Sequence, residues 1–99
     1  MQFLQLDHFA ARLNETFDVE VDGSLVPFVL VEAQPLPVPG RAVQGLVREP
    51  FSLLFLNASP ILFAQRIYTM KNPTAGEFGI FLVPIARNKD GFIYQAIFN

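Results

Sequence analysis

The sequence has no cysteine, no tryptophan, a single histidine and few charges. The missing cysteines exclude a disulfide framework and a thiolate metal site, so the fold has to hold by packing alone, and the redox compartment stays undetermined. Charged residues make up 16% of the chain, against about 25% in an average soluble protein. With 52% apolar residues, part of the surface must be apolar, as it is in chains that associate. Long hydrophobic runs are missing too. Nothing approaches the ~18 consecutive apolar residues of a membrane span, and MQFLQLDHF at the start has neither a basic n-region nor a small-residue cleavage site. The expected location is the cytoplasm, export by a partner aside. The glycines are scattered, with no G-x-G-x-x-G or P-loop spacing to cradle a phosphate, and no G-x-S-x-G elbow presents a nucleophile. A net charge of −2 gives no reason to expect nucleic acid or an anionic membrane as partner.

What the chain has in quantity is phenylalanine, eleven in 99 residues. At this length one core and one β domain over 1–99 are the expectation. DHFAARL, 7–13, predicts a short helix with Asp7 as N-cap and with Phe9 and Leu13 on one face. From Thr16 the period becomes two: Phe17, Val19 and Val21 alternate with Asp18, Glu20 and Asp22, a half-buried strand with an acidic outer face. Asp22-Gly23 predicts a hairpin turn and SLVPFVLVEA the return strand. Pro27 cannot donate to a ladder, which puts that strand at an edge or marks a bulge near its start.

QPLPVPGRAVQG, 34–45, reads as a proline-stiffened connector, and the P-x-x-P spacing of a proline-reading ligand is absent. FSLLFLN, 51–57, is a third strand ended by Asn57, Ser59 and Pro60. A fourth, from about Phe63 to Lys71, sets Tyr68 and Met70 on one face and Ile67 and Thr69 on the other. Asn72 to Gly76 is a turn by composition, and 76–99 forms a C-terminal hairpin turning through Arg87 to Gly91. The fold class that follows is all-β with a short N-terminal helix, either a small six-stranded antiparallel barrel or a two-sheet sandwich.

The charges divide unevenly. Up to Glu32 there are six acids against Arg12, and from there on six bases against three acids, so the segments carry −5 and +3. Either the early segment pairs with later strands, or subunits meet head to tail. DVEVDGS, 18–24, starts like a calcium loop but fails the pattern, since Glu20 stands at position three and Val29 where the bidentate Glu belongs. His8 beside Asp7 could act as a base, yet adjacent helical residues point apart and no nucleophile accompanies them. Tyr68, Tyr94 and the phenylalanines lack the interleaved Lys and Arg of a base-stacking surface, so core packing is their expected use. The expectations are therefore no catalytic residue, no metal, no cofactor and no enzyme. Of an enzymatic reading there is left only a site built from Asp18, Glu20, Asp22 or His8, which requires a concave pocket holding at least two of them.

GEFGIFLVPIARNKDGFIYQAIFN carries the strongest signal. By period two Phe78, Ile80 and Leu82 share one face of one strand, and Phe92, Tyr94, Ala96 and Phe98 one face of the next, so these sets form the core. The opposite faces, Gly79, Phe81 and Val83 with Ile93, Gln95 and Ile97, are too apolar for water. Either the N-terminal helix with Phe3, Leu6 and Phe9 covers them or another subunit does. The subunit is favoured, because a short helix covers only part of two strands. Phe81, Val83, Ile93 and Ile97 are thus the candidate interface.

The helix ending in F-x-x-x-L, then ETFDVEV, FSLLF, QRIYTM, GEFGIFLVPI and a terminal YQAIFN, together resemble a bacterial family of roughly hundred-residue domains of unknown function. Its members finish with a Gly, a Phe-rich strand, a Pro-Ile turn and a final Tyr-Glu-Ala-x-Phe-Asn; here Ala86 and Gln95 stand where Gly and Glu are expected. The resemblance implies no catalytic or binding residue. It implies at most a small structural role, accessory to a phage-tail-like or secreted assembly. The expected function is a non-enzymatic protein-interaction domain, pairing as a homodimer or with another protein. The alternative is a small apolar-ligand carrier, although barrels usually need about eight strands to hold one small ligand.

Overall fold

Alternation along each strand decides what faces inward. In Thr16–Val21 (β1) Phe17, Val19 and Val21 are buried while Thr16 and Glu20 are exposed, and in Phe51–Asn57 (β3) every second residue from Phe51 to Asn57 is buried. The computed structural model, which describes residues 5–36 and 50–98, completes the set with Ser24–Pro35 (β2), Arg66–Asn72 (β4), Gly76–Asn88 (β5) and Gly91–Phe98 (β6), preceded by the helix Leu6–Ala10 (α1). The strands pair antiparallel in the order β1-β2-β3-β6-β5-β4, and β4 returns to β1 to close a barrel. Of the two expected all-β forms the chain adopts the barrel. The closing seam is narrow, formed by Asp18 opposite Lys71 and Val19 opposite Met70.

The turns follow from their residues. Asp22 and Gly23 both take positive φ, 49° and 84°, the two left-handed residues of a type I′ turn, whose twist matches that of the flanking strands. Register then runs outward from Val21 opposite Ser24 to Thr16 opposite Val29. Pro27 lies neither at an edge nor at a bulge. Counting from the turn, Asp18 and Pro27 form a non-hydrogen-bonded pair, so the missing N–H would point towards β3. Pairing with β3 begins only at Val29 opposite Leu56. The irregularity in β2 falls between Leu30 and Glu32, and a second between Pro84 and Ala86 in β5; such bulges add the bend that a small barrel requires.

Phenylalanine fills the interior and plugs both ends. Phe9 is fully buried, its ring 5.6–6.3 Å from those of Phe17, Phe51, Phe78 and Phe98. One such side chain stabilises by about 1.5–3 kcal/mol, which is why a five-residue helix stays docked. At the opposite end Phe63 packs on Phe28 and Tyr94, and its backbone N–H donates to the Tyr94 hydroxyl at 2.9 Å. Burial pushes the Tyr94 phenol above its ordinary value, aided by the proximity of Tyr68 and opposed by that hydrogen bond.

Two buried asparagines hold the connections. Asn57 donates through Nδ2 to the Pro27 carbonyl at 2.8 Å and accepts the Ser59 N–H at 3.0 Å. Asn72 donates to Glu15 Oε1 at 3.2 Å and to the Thr16 carbonyl at 3.0 Å. Its Oδ1 accepts from the Thr74 and Ala75 N–H groups and from the Thr74 hydroxyl. Each amide thus spends both ends, as a buried polar group must.

Three further expectations change. The helix is Leu6–Ala10, not 7–13: Gln5 takes the N-cap place with no side-chain cap bond, and Leu13 lies beyond its end, exposed. The fourth strand starts at Arg66, because Phe63 is drawn out of line to cap the barrel against Tyr94. Of the connector 34–45, Gln34 and Pro35 belong to β2, and 37–45 lies outside the described residues, as does Phe3.

Candidate interaction face

The inward set on the last two strands is as the period requires, with Ile80, Leu82, Tyr94 and Ala96 buried and Phe78, Phe92 and Phe98 packed on the core. The outward set is then forced to the surface. α1 does not cover it, because Phe9 turns into the barrel end and the helix packs beside β2. Phe81 is 48% exposed, Ile97 51% and Ile67 72%; Val83 and Ile93 are half-buried. The expected residues Phe81, Val83, Ile93 and Ile97 therefore all lie on the outer wall of the neighbouring strands β5 and β6.

The register extends this wall. Ile67 stands opposite Phe81, Gln95 opposite both Val83 and Leu54, Ile93 opposite Leu56, and Ile97 opposite Ser52. Leu56 in turn faces Val29 of β2. From Ser52 to Leu56, from Phe81 to Ile85 and from Ile93 to Ile97, no outward residue carries a charge. Among the described phenylalanines, Phe81 is the one that stands outside the barrel. Reading the hairpin alone finds half of this face. The same signal, an uninterrupted apolar run, is present in FSLLFL and would have found Leu54 and Leu56.

The acidic strand sits on the far side, while Glu32 of β2, opposite Leu54, borders the wall along its β3 edge. In a six-strand ring β1 lies three steps from β6 in either direction, and the outward positions of β1 and its turn are Asp18, Glu20 and Asp22. Their partners come from the later half of the chain: Asp22 meets Arg66 at 3.5 Å, both exposed, and Asp18 stands opposite Lys71. Part of the uneven charge of the two segments, Asp18 and Asp22 with Lys71 and Arg66, is thus placed across the β1–β4 side of one barrel. Such exposed pairs add little stability. What they do is keep the β1–β4 side of the barrel wet.

Chemical sites are harder to assemble. Asp18 and Glu20 point out from β1, Asp22 occupies the turn, and His8 sits at the other barrel end, where its Nε2 lies 3.1 Å from the Ala75 carbonyl. Beside it Arg12 donates to the Thr74 hydroxyl and carbonyl at 2.9 and 3.1 Å, and to the His8 carbonyl. These contacts strap α1 to the β4–β5 turn, a structural role for the one histidine. A cleft of about 550 Å³ lies between the β1–β2 turn and the 59–64 segment, lined by Val26, Ile61, Leu62, Phe63, Arg66 and Tyr68 among others. A second, of about 360 Å³, lies over the seam between Asp18, Lys71 and Glu77. Asp22 borders the first and Asp18 the second, so neither cleft holds two of the four candidate acid–base groups. Tyr68 is buried with its hydroxyl donating to the Ala64 carbonyl, which removes it from any base-stacking surface. Among the described residues no cluster of His, Asp or Glu could hold a metal ion, and no helix is long and apolar enough to cross a membrane.

A family model described as a domain of unknown function matches residues 4–98. No curated protein and no solved structure matches the chain.

Proposed function

Given that the chain belongs to the domain-of-unknown-function family DUF6916, we propose that it works by protein–protein contact through the outer wall of β3, β6 and β5 and performs no catalysis. The partner is a protein, a second copy or another subunit, and the role is structural, accessory to a phage-tail-like or secreted assembly. One observation carries the reading: over 52–56, 93–97 and 81–85 of three adjacent strands no side chain is charged, and Phe81 and Ile97 stand about half exposed. Water contact with such a wall is unfavourable by ~25 cal/mol per Å², and a partner relieves it. A carrier of apolar ligands is disfavoured, since the six strands are filled by their own side chains, Phe17, Leu30, Phe55, Leu82 and Tyr94 each essentially without exposure.

The test is the double variant Phe81→Ser, Ile97→Ser. Because both side chains stand outside the core, the variant folds with unchanged far-ultraviolet circular dichroism. Its association in sedimentation velocity weakens at least tenfold, about 1.4 kcal/mol. An unfolded chain would mean that these residues belong to the core, and unchanged association would remove the face from the interaction.

A further inference from the structure

The β1–β2 hairpin outruns both of its neighbours. On β1 the pairing with β4 ends at Val19 opposite Met70, and on β2 the pairing with β3 begins at Val29 opposite Leu56. Over 20–28 every register partner therefore lies within the hairpin itself. Its own ladder is complete down to Val21 opposite Ser24, so the end of the hairpin is stiff inside and little tied outside. The β1–β4 junction is also the shortest in the barrel, two residue pairs where each of the others has at least five.

The ties that remain are unequal. Towards the start of β1 the residue opposite Thr16 would be Pro73, which has no N–H to donate. The Asn72 side chain stands in for it, donating to the Thr16 carbonyl at 3.0 Å and to Glu15 at 3.2 Å. On β2 the Asn57 amide grips the Pro27 carbonyl at 2.8 Å, and Phe28 packs on Phe63 and Tyr94. Among the described residues, the tip has one side-chain polar tie to the rest of the barrel, the exposed Asp22–Arg66 pair at 3.5 Å, and such a pair adds little. A gap is already present here. The cleft of about 550 Å³ is lined by Val21, Ser24 and Val26 from the hairpin and by Ile61, Phe63 and Tyr68 from beyond it.

We propose that residues 21–26 form a flap: the end of the hairpin swings as one stiff unit away from Arg66 and Tyr68, bending at Glu20 and Pro27, and opens the cleft towards the core. Closed, the flap keeps Val21 and Tyr68 at 8% and 4% exposure; open, it uncovers both. The bend falls where the ties end, since Val19 is held by β4 and Pro27 by Asn57. Opening breaks no ladder pair and costs the burial of one valine and part of one tyrosine, so the open form is a minor population. Hinge motions of this kind run on microseconds to milliseconds. The flap lies on the β1–β4 side, away from the wall around β6, so a partner on that wall leaves it free to move.

The chain has no native thiol, so a single introduced cysteine reports opening through its rate of labelling by a neutral disulfide reagent. Val21→Cys on the flap is labelled at least about tenfold faster than Val19→Cys, which faces inward behind the hinge, once each rate is referred to that variant's own unfolding free energy. Arg66→Ala, by removing the tie at the tip, raises the Val21→Cys rate about threefold and leaves the Val19→Cys rate unchanged. Relaxation dispersion on wild-type amides gives one common exchange rate over 21–26, with Phe17 and Val29 flat. Equal labelling of the two cysteine variants, both at the rate set by global unfolding, would overturn the flap. Fast labelling of Val21→Cys that is indifferent to Arg66→Ala, with flat dispersion over 21–26, would mean fixed exposure and overturn it as well.

Discussion

Gly91 opens β6 where the chain leaves the β5–β6 turn, and it is the position at which one added methyl group should do most harm. Its φ is +143°, and a Cβ built there would lie 2.1 Å from the Asn57 carbonyl oxygen and 2.9 Å from the Ala58 Cα. Both are backbone atoms, so no side-chain rotation relieves the overlap. Asn57 cannot readily retreat, since its amide is held by Pro27 and Ser59 and its Cα partner in the ladder is Phe92. For Gly91→Ala the backbone conformation costs about 1–3 kcal/mol and the overpacking another 1–3 kcal/mol, together about 2–6 kcal/mol. In a domain of this size each kcal/mol lowers Tm by about 4–8 °C, so the melting point falls by at least ~8 °C. Gly76→Ala is the internal control: its φ is +92° but nothing lies within 4 Å of the added Cβ, so only the conformational cost applies. Thermal melts followed by circular dichroism at one pH compare the three proteins. Equal, small losses for both variants would refute the close passage of β6 over the end of β3 and the register that produces it.

Two further predictions address the polar interior. Asn72→Asp turns the group that donates to Glu15 and Thr16 into an acceptor facing acceptors, and costs about 1–3 kcal/mol in urea unfolding at neutral pH. Tyr94 supplies a pH dependence. Its pKa is raised on folding, chiefly by burial, so the neutral phenol favours the folded state; that stability is complete below the unfolded value of about 10 and is lost as pH rises through the folded one. Unfolding free energy measured from pH 8 to 12 declines more steeply above about pH 10 for wild type than for Tyr94→Phe, which at neutral pH is weaker by about 1 kcal/mol for the lost bond to Phe63.

Local chemistry determined a large part of this protein. Alternation in TFDVEV, FSLLFLN and the C-terminal hairpin is a backbone property: successive Cβ atoms point to opposite sides, so the buried set could be read before any partner strand was known. Asp22-Gly23 likewise fixed a turn and a register within one hairpin, because the required positive φ values belong to those residues. The candidate face was legible in part for the same reason, as an apolar run in a strand must put some apolar groups outside.

What the sequence by itself left open were the relations between distant segments. Barrel rather than sandwich depends on β4 reaching β1 through Asp18 and Val19, a pairing that no local pattern encodes. The end of the helix, the late start of β4 and the harmless place of Pro27 depend on which neighbour each residue meets: Phe9 inside the barrel mouth, Phe63 under Tyr94, Pro27 ahead of the first backbone pair with β3. The strand order also set the acidic strand diametrically across from β6 and joined Leu54, Leu56 and Ile67 to the hairpin's outer residues. An amphipathic strand is written in its own residues, whereas an amphipathic barrel exists only once the order of its strands is fixed.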